Sequence, residues 1–219
     1  MNIVTVLDFV GITLFAVTGA LVASRKQLDI ISFMFLAMVT GTGGGTVRDL
    51  ILGVPVFWIE QPIFVVVCAM AALFTFFTAH LLESRYYWLL WLDAVALAAY
   101  AVFGAYKGLL VTGSPVIGVV MGMLTGALGG VFRDILANEQ SILMRKDIYI
   151  GAAMVGGVVF VSCISGGIDQ YIAAIAGTIS AFLIRSGALV LGWHLPAYRA
   201  RPGRDPSVAL DAINRTTNE

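Results

Sequence analysis

Read from its amino terminus, the chain alternates long apolar stretches with short polar ones. Seven of the apolar stretches approach the roughly 20 residues that a helix needs to cross the hydrocarbon core of a bilayer. They cover residues 4–23, 29–52, 62–82, 88–107, 115–137, 147–165 and 169–191. The connections between them, from SRKQLD after the first to SGGID before the last, are too short to hold a soluble domain. The pattern predicts an all-α membrane protein with seven transmembrane helices in one domain over residues 1–193. Residues 194–219 are polar, with prolines and scattered arginines, and read as a disordered tail.

Basic residues in the short loops set the expected orientation. With the N-terminus outside, Arg25, Lys26, Arg85, Arg145, Lys146, Arg199, Arg201, Arg204 and Arg215 all face the cytoplasm, and only Lys107 lies external. The expectation is N-terminus out, C-terminus cytoplasmic.

Two segments repeat. MVTGTGGGTVRDL, from Met38, matches MLTGALGGVFRDI, from Met123, and Arg133 lies 85 positions after Arg48. The same shift carries Thr40 onto Thr125, Gly44 onto Gly129, Gly45 onto Gly130, Asp49 onto Asp134 and, upstream, Asp8 onto Asp93. Each unit, 4–82 and 88–165, holds three spans. Three is odd, so the second unit enters the membrane upside down, as in transporter folds whose solute path lies between inverted halves. The last span, 169–191, stands outside the duplication.

Glycine in a helix costs about 1 kcal/mol relative to alanine. Gly43, Gly44 and Gly45 in the second span, and Gly129 and Gly130 in the fifth, therefore predict helices 2 and 5 broken at these motifs. Leu128 stands where the first motif has Gly43, so the first break should unwind more readily. Gly118 and Gly122, spaced by four, fit close helix packing instead. Intramembrane charges are costly and call for partners. Depth along the spans suggests the pairs Arg48–Asp8 and Arg133–Asp93. Asp49 and Asp134 project about 100° from their arginines and are expected to face a pore or cap a neighbouring helix. The hydroxyls of Thr40, Thr42, Thr46 and Thr125 either line a hydrated path or bond back to their own helices. Lys107 reads as an interfacial anchor, and Arg185 as reaching for cytoplasmic headgroups. His80 and His194 read as interfacial, and Trp58, Trp88, Trp91 and Trp193 fall near span ends, as an aromatic belt does.

Composition agrees with a membrane protein. The chain is 59% hydrophobic and 12% charged, against about 25% charged in soluble domains. Thirteen basic residues balance thirteen acidic ones, which gives no field favouring nucleic acid. Cys68 and Cys163 read as packing thiols. No Ser-His-Asp set, Walker loop or metal cluster is evident. No enzyme activity, metal or cofactor is expected.

With GTGGGTVRDLILG and GALGGVFRDILANE in spans 2 and 5, two three-helix repeats and a seventh helix, the chain resembles the prokaryotic trimeric intracellular cation (TRIC) channels. That domain is also described as the bacterial glycine-transporter type, UPF0126-like. The resemblance covers about residues 4–192. It implies a homotrimer in the bacterial inner membrane, each protomer carrying its own pore for monovalent cations, chiefly potassium, with membrane lipid as a further partner. It places the pore and gate at the broken helices, at Gly43, Gly44, Gly45, Gly129 and Gly130 with Arg48, Asp49, Arg133 and Asp134 beside them; the reading of the residues themselves adds Thr40 and Thr125 to these and Asp8 and Asp93 as charge partners. The alternative is a secondary transporter of a small amino acid such as glycine, which the same inverted halves would serve.

Overall fold

The structure is a computed structural model that describes residues 3–82, 84–141 and 148–196. Its elements are helical: α1 (Ile3–Arg25), α2 (Ile30–Leu52), a single turn α3 (Phe57–Glu60), α4 (Ile63–Thr78) with a 3-10 extension at Ala79–Leu81, α5 (Arg85–Thr112), α6 (Pro115–Leu136), α7 (Ile150–Ser165) and α8 (Gln170–Leu191). Among the described residues, six helices are long and apolar enough to cross a bilayer: α1, α2, α4 with its extension, α5, α6 and α8. The apolar α7 has 16 residues, a length of about 24 Å against a hydrocarbon core of about 30 Å. The expected start of that span at residue 147 lies outside the described residues. So do Arg145, Lys146 and the tail arginines Arg199, Arg201, Arg204 and Arg215.

Local signals that start and stop the helices recur at the repeat interval. Asp29 caps α2 by accepting from the Ser32 amide at 2.8 Å, and Ser114, 85 positions on, caps α6 through the Ile117 amide. Each cap satisfies an amide that the first turn leaves without an intrahelical partner. At the other end Gly53 and its counterpart Asn138 both adopt left-handed φ, 64° and 49°. Gly and Asn tolerate that conformation best.

The predicted helix breaks are absent: α2 and α6 run as uninterrupted α-helix through both glycine motifs. Lipid explains the difference. An unwound turn at membrane depth leaves several backbone groups unpaired at several kcal/mol each, which outweighs a glycine penalty of about 1 kcal/mol. The glycines instead admit neighbours. A Cβ on Gly44 would lie 2.5 Å from the Thr125 carbonyl oxygen, and one on Gly129 would lie 2.6 Å from that of Thr40. These two contacts are images of each other under the 85-residue shift, so α2 and α6 cross backbone to backbone at the motifs. Gly43 faces the Phe132 ring, Gly45 the Phe57 ring and Gly130 the Tyr149 hydroxyl. Gly118, Gly122 and Gly126 press against α5 carbonyl oxygens, of Ala105, Ala101 and Leu97, as expected for the first two.

Gly44→Ala should therefore lower stability by about 1–3 kcal/mol, the usual cost of overpacking. Gly113→Ala is a useful comparison, because no atom lies within 4 Å of its would-be Cβ and its cost comes from φ of 66° alone. Thermal unfolding of the detergent-solubilised protein measures both.

Candidate functional site

The crossing of α2 and α6 holds the charged residues in two repeat-related clusters, one beside each Arg-Asp step. All of the arginines and aspartates involved are at most 7% exposed. A charge this deep needs a partner within bonding distance.

The Arg133 cluster is the more fully bonded of the two, with Asp93 Oδ2 buried and without a hydrogen-bond partner among the described residues. Nη1 of Arg133 lies 2.8 Å from Asp93 Oδ1, and Nη2 lies 2.9 Å from Asp134 Oδ1. Nε also donates to Asp134 Oδ1 at 3.0 Å, and Nη1 donates to the Thr18 hydroxyl at 3.1 Å. The Tyr149 hydroxyl donates to Asp93 Oδ1 at 3.4 Å. The proposed pair Arg133–Asp93 is present. Asp134 folds back onto the neighbouring arginine rather than pointing away from it. Arg185 is fully buried, with its guanidinium 5.0 Å from the centre of the Tyr149 ring. That corrects its assignment to the headgroups: aromatic face and the Ile148 carbonyl, 3.4 Å from Nη1, receive it inside the bundle.

The Arg48 cluster is built differently. Arg48 Nε donates to Asp49 Oδ1 at 2.7 Å, and Lys107 Nζ lies 2.8 Å from the same oxygen. Oδ2 of Asp49 accepts from the Phe57 amide at 3.0 Å, so it does cap a neighbouring helix, the short α3. The expected Arg48–Asp8 pair does not form. The Arg48 guanidinium lies 4.9 Å from the Phe103 ring centre and 5.8 Å from that of Phe57. Its Nη1 and Nη2, and Asp8 Oδ1, are buried with no hydrogen-bond partner among the described residues.

Three positions explain why equivalent motifs diverge. Thr18, which accepts from Arg133, maps onto Phe103, which can offer Arg48 only a ring face. Tyr149, which donates to Asp93, maps onto Phe64, which has no hydroxyl for Asp8. Lys107 maps onto Val22, so only the Arg48 cluster has a lysine paired with the aspartate of its Arg-Asp step. Lys107 is thus an ion-pair partner as well as a residue at the rim.

Beside the Arg48 cluster opens a cavity of about 290 Å³, whose lining includes Asp8, Glu60, Gln61, Phe103, Tyr106 and Lys107. Phe57 and Phe103 form its inner wall, and Arg48 lies behind them. The four threonines expected on a hydrated path, Thr40, Thr42, Thr46 and Thr125, do not line it. Thr40 and Thr125 are fully buried, and each hydroxyl donates to its own helix at 2.6 Å, to Leu36 and Met121 respectively. Thr42 and Thr46 bond back likewise, and Thr46 also accepts from the Trp58 indole at 2.9 Å.

Thr18, Phe57, Phe103 and Tyr149 escape a reading based on identical repeat positions. For Thr18 against Phe103 and Tyr149 against Phe64 the signal is the opposite one, places where the 85-residue shift pairs a hydroxyl-bearing residue with an apolar one; Phe57 carries no such mark.

The profile of a family described as "Glycine transporter" matches the chain twice, over residues 5–80 and 90–165, the second match starting 85 positions after the first. A UPF0126 membrane protein of Vibrio cholerae is 35% identical over 196 residues, 89% of this chain and 81% of its own length. The UPF0126 inner membrane protein YadS of Escherichia coli K12 is 34% identical over 212 residues, 95% and 98% of the two chains. The crystal structure of the TRIC trimeric intracellular cation channel orthologue from Rhodobacter sphaeroides superposes with a TM-score of 0.86 at 48% identity, covering 88% of this chain and all of that one.

Proposed function

With the chain a member of the UPF0126 membrane-protein family, in the TRIC fold, we propose that it is a cation channel, permeable to potassium, that assembles as a homotrimer with one pore per protomer. The observation that carries this reading is the cavity, lined by both apolar and charged side chains, that reaches buried Asp8 and is bounded by Phe57 and Phe103, whose rings the Arg48 guanidinium approaches. It forms a wet approach to the crossing of α2 and α6, with a carboxylate oxygen unbonded at its depth. On the far side of the crossing the Arg133 cluster seals the path. The conformation is a closed one, and gating separates Arg48 from its aromatic wall and loosens the contact between Gly44 and Gly129. The cavity opens at the end of the bundle that carries Lys107; Arg25, Lys26 and Arg85 lie at the opposite, cytoplasmic end. The permeant ion is the only ligand the reading requires.

A second reading rests on the unbonded atoms themselves. The two Arg48 Nη groups and Asp8 Oδ1 complement a small zwitterion, as a glycine transporter would need. Recording from purified protein in a planar bilayer separates the two. Discrete current steps in potassium salt are expected. Saturable glycine uptake without steps would overturn the channel reading in favour of the transporter. A crosslinking ladder in mild detergent that ends at three chains is the expected assembly.

A further inference from the structure

The two repeats differ in what covers them. In the second, the furrow between α5 and α7 is roofed by α8. A Cβ on Gly177 of α8 would lie 2.9 Å from Val102 Cγ2 and 3.1 Å from Phe160 Cβ. Val102 and Phe160 form a buried cluster with Ala173 and Ala174 of α8, and Tyr106 and Cys163 pack against it. Helix α8 has no counterpart in the first repeat. Shifting Val102, Tyr106, Phe160 and Cys163 back by 85 positions gives Val17, Leu21, Thr75 and Thr78. These four, with Phe74 and Trp88 among others, line an open groove of about 370 Å³ between α1, α4 and the start of α5. The first repeat thus keeps open the furrow that the second fills with a helix.

The chemistry of the groove selects its occupant. The Thr75 and Thr78 hydroxyls donate to their own helix, to Ala71 and Phe74 at 2.8 and 2.7 Å, so the walls offer a polar solute little. Apolar cavities do not hold ordered water, so the groove takes an apolar chain. Its rim is basic. Arg85 Nε donates to the carbonyl of Ala79, itself a groove residue, at 3.0 Å. Lys26 follows α1 little more than one turn beyond Leu21 and is exposed. Neither forms an ion pair among the described residues, whereas Arg25 is held by Glu139 at 3.1 Å. Arg85 Nη1 also donates to the Ser24 carbonyl at 3.3 Å, which fixes its positive charge at the rim, where an anionic headgroup would supply the missing counter-charge. We propose that the groove binds an acyl chain of an anionic glycerophospholipid, with the phosphate at Arg85 and Lys26. The inference does not depend on the channel reading.

Trp88 provides the probe. The full chain is reconstituted in vesicles with brominated-chain phosphatidylglycerol or brominated-chain phosphatidylcholine, and the Trp88 signal is taken as the difference from Trp88→Phe. Phosphatidylglycerol should quench at about one-tenth the mole fraction that phosphatidylcholine needs, the order expected for two basic residues at a membrane surface. The double variant Lys26→Gln, Arg85→Gln should bring the two lipids within about twofold, while quenching at saturation persists. Thr75→Phe gives the first repeat the side chain the second has at position 160, and should abolish quenching by both. Should that variant not fold, the charge variant decides. Equal quenching by the two lipids in the parent overturns the proposal, as does an undiminished preference in the charge variant. So does a folded Thr75→Phe that quenches as the parent does, or shielding of Trp88 from both lipids by a second copy, lost on dissociation to monomers.

Discussion

Arg133→Ala is expected to destabilise the protein by about 3–5 kcal/mol, the cost of leaving buried charge without its partner. The guanidinium holds two carboxylates, Asp93 at 2.8 Å and Asp134 at 2.9 Å, and donates to Thr18 as well. Its loss removes the main counter-charge between two buried anions. Arg133→Lys keeps the charge but not the planar fork that serves three acceptors at once, and should recover only part of the loss. Arg25→Ala is the control. Arg25 is exposed and its pair with Glu139 lies at the bundle's edge, where such pairs contribute about 0–1 kcal/mol. Thermal unfolding of the three variants in one detergent checks the order. Equal midpoints for Arg133→Ala and Arg25→Ala would show that the buried cluster does not hold the halves together.

Arg48→Ala should act on flux rather than on folding. Removing it leaves Asp49 with Lys107 at 2.8 Å and the Phe57 amide at 3.0 Å, so the buried carboxylate remains compensated. On the channel reading, what goes is a buried cation behind the Phe57 and Phe103 rings that bound the cavity. A unit charge at about 4 Å contributes about 4 kcal/mol at an effective dielectric of about 20, and 1.4 kcal/mol of barrier is about a factor of ten in rate. Potassium current through single channels should rise by about tenfold or more. Arg48→Lys, which keeps the charge, should stay nearer the parent. Currents from Arg48→Ala that match the parent would remove this side chain from the barrier.

The helices, the duplication and the Arg133–Asp93 pair were legible because each rests on a strong local signal: long apolar runs, a gap-free shift, and charges that lipid penalises. The glycine motifs misled because helix propensity was weighed as in water. In lipid the unpaired backbone decides, and the glycines at 44 and 129 let two intact helices touch. The Arg48–Asp8 pair misled because symmetry was extended from identical residues to their surroundings. Arg48 keeps the bond to Asp49 that Arg133 makes to Asp134, but with Phe103 in place of Thr18 and Phe64 in place of Tyr149 it makes none to Asp8, which is left beside a cavity. The turn at Phe57–Glu60, which supplies both an amide for Asp49 and a ring for Arg48, gave no periodic signal within GVPVFWIEQP. Lys107 was visible as a charge but not as a partner, because its reach to Asp49 depends on how α5 packs against α2.

The contact between Gly44 and Gly129 makes a scissor of α2 and α6. The two rods meet at a single fulcrum, and each blade extends about 15 Å on at least one side of it at 1.5 Å per residue. Turning one rod by about 10° would swing a blade tip that far out by about 3 Å. On the channel reading, widening the mouth beside Lys107 by such a turn displaces the far ends of the two rods, Ile30 of α2 and Leu136 of α6. On that reading, the two ends of the passage are thus coupled through the shared crossing of α2 and α6.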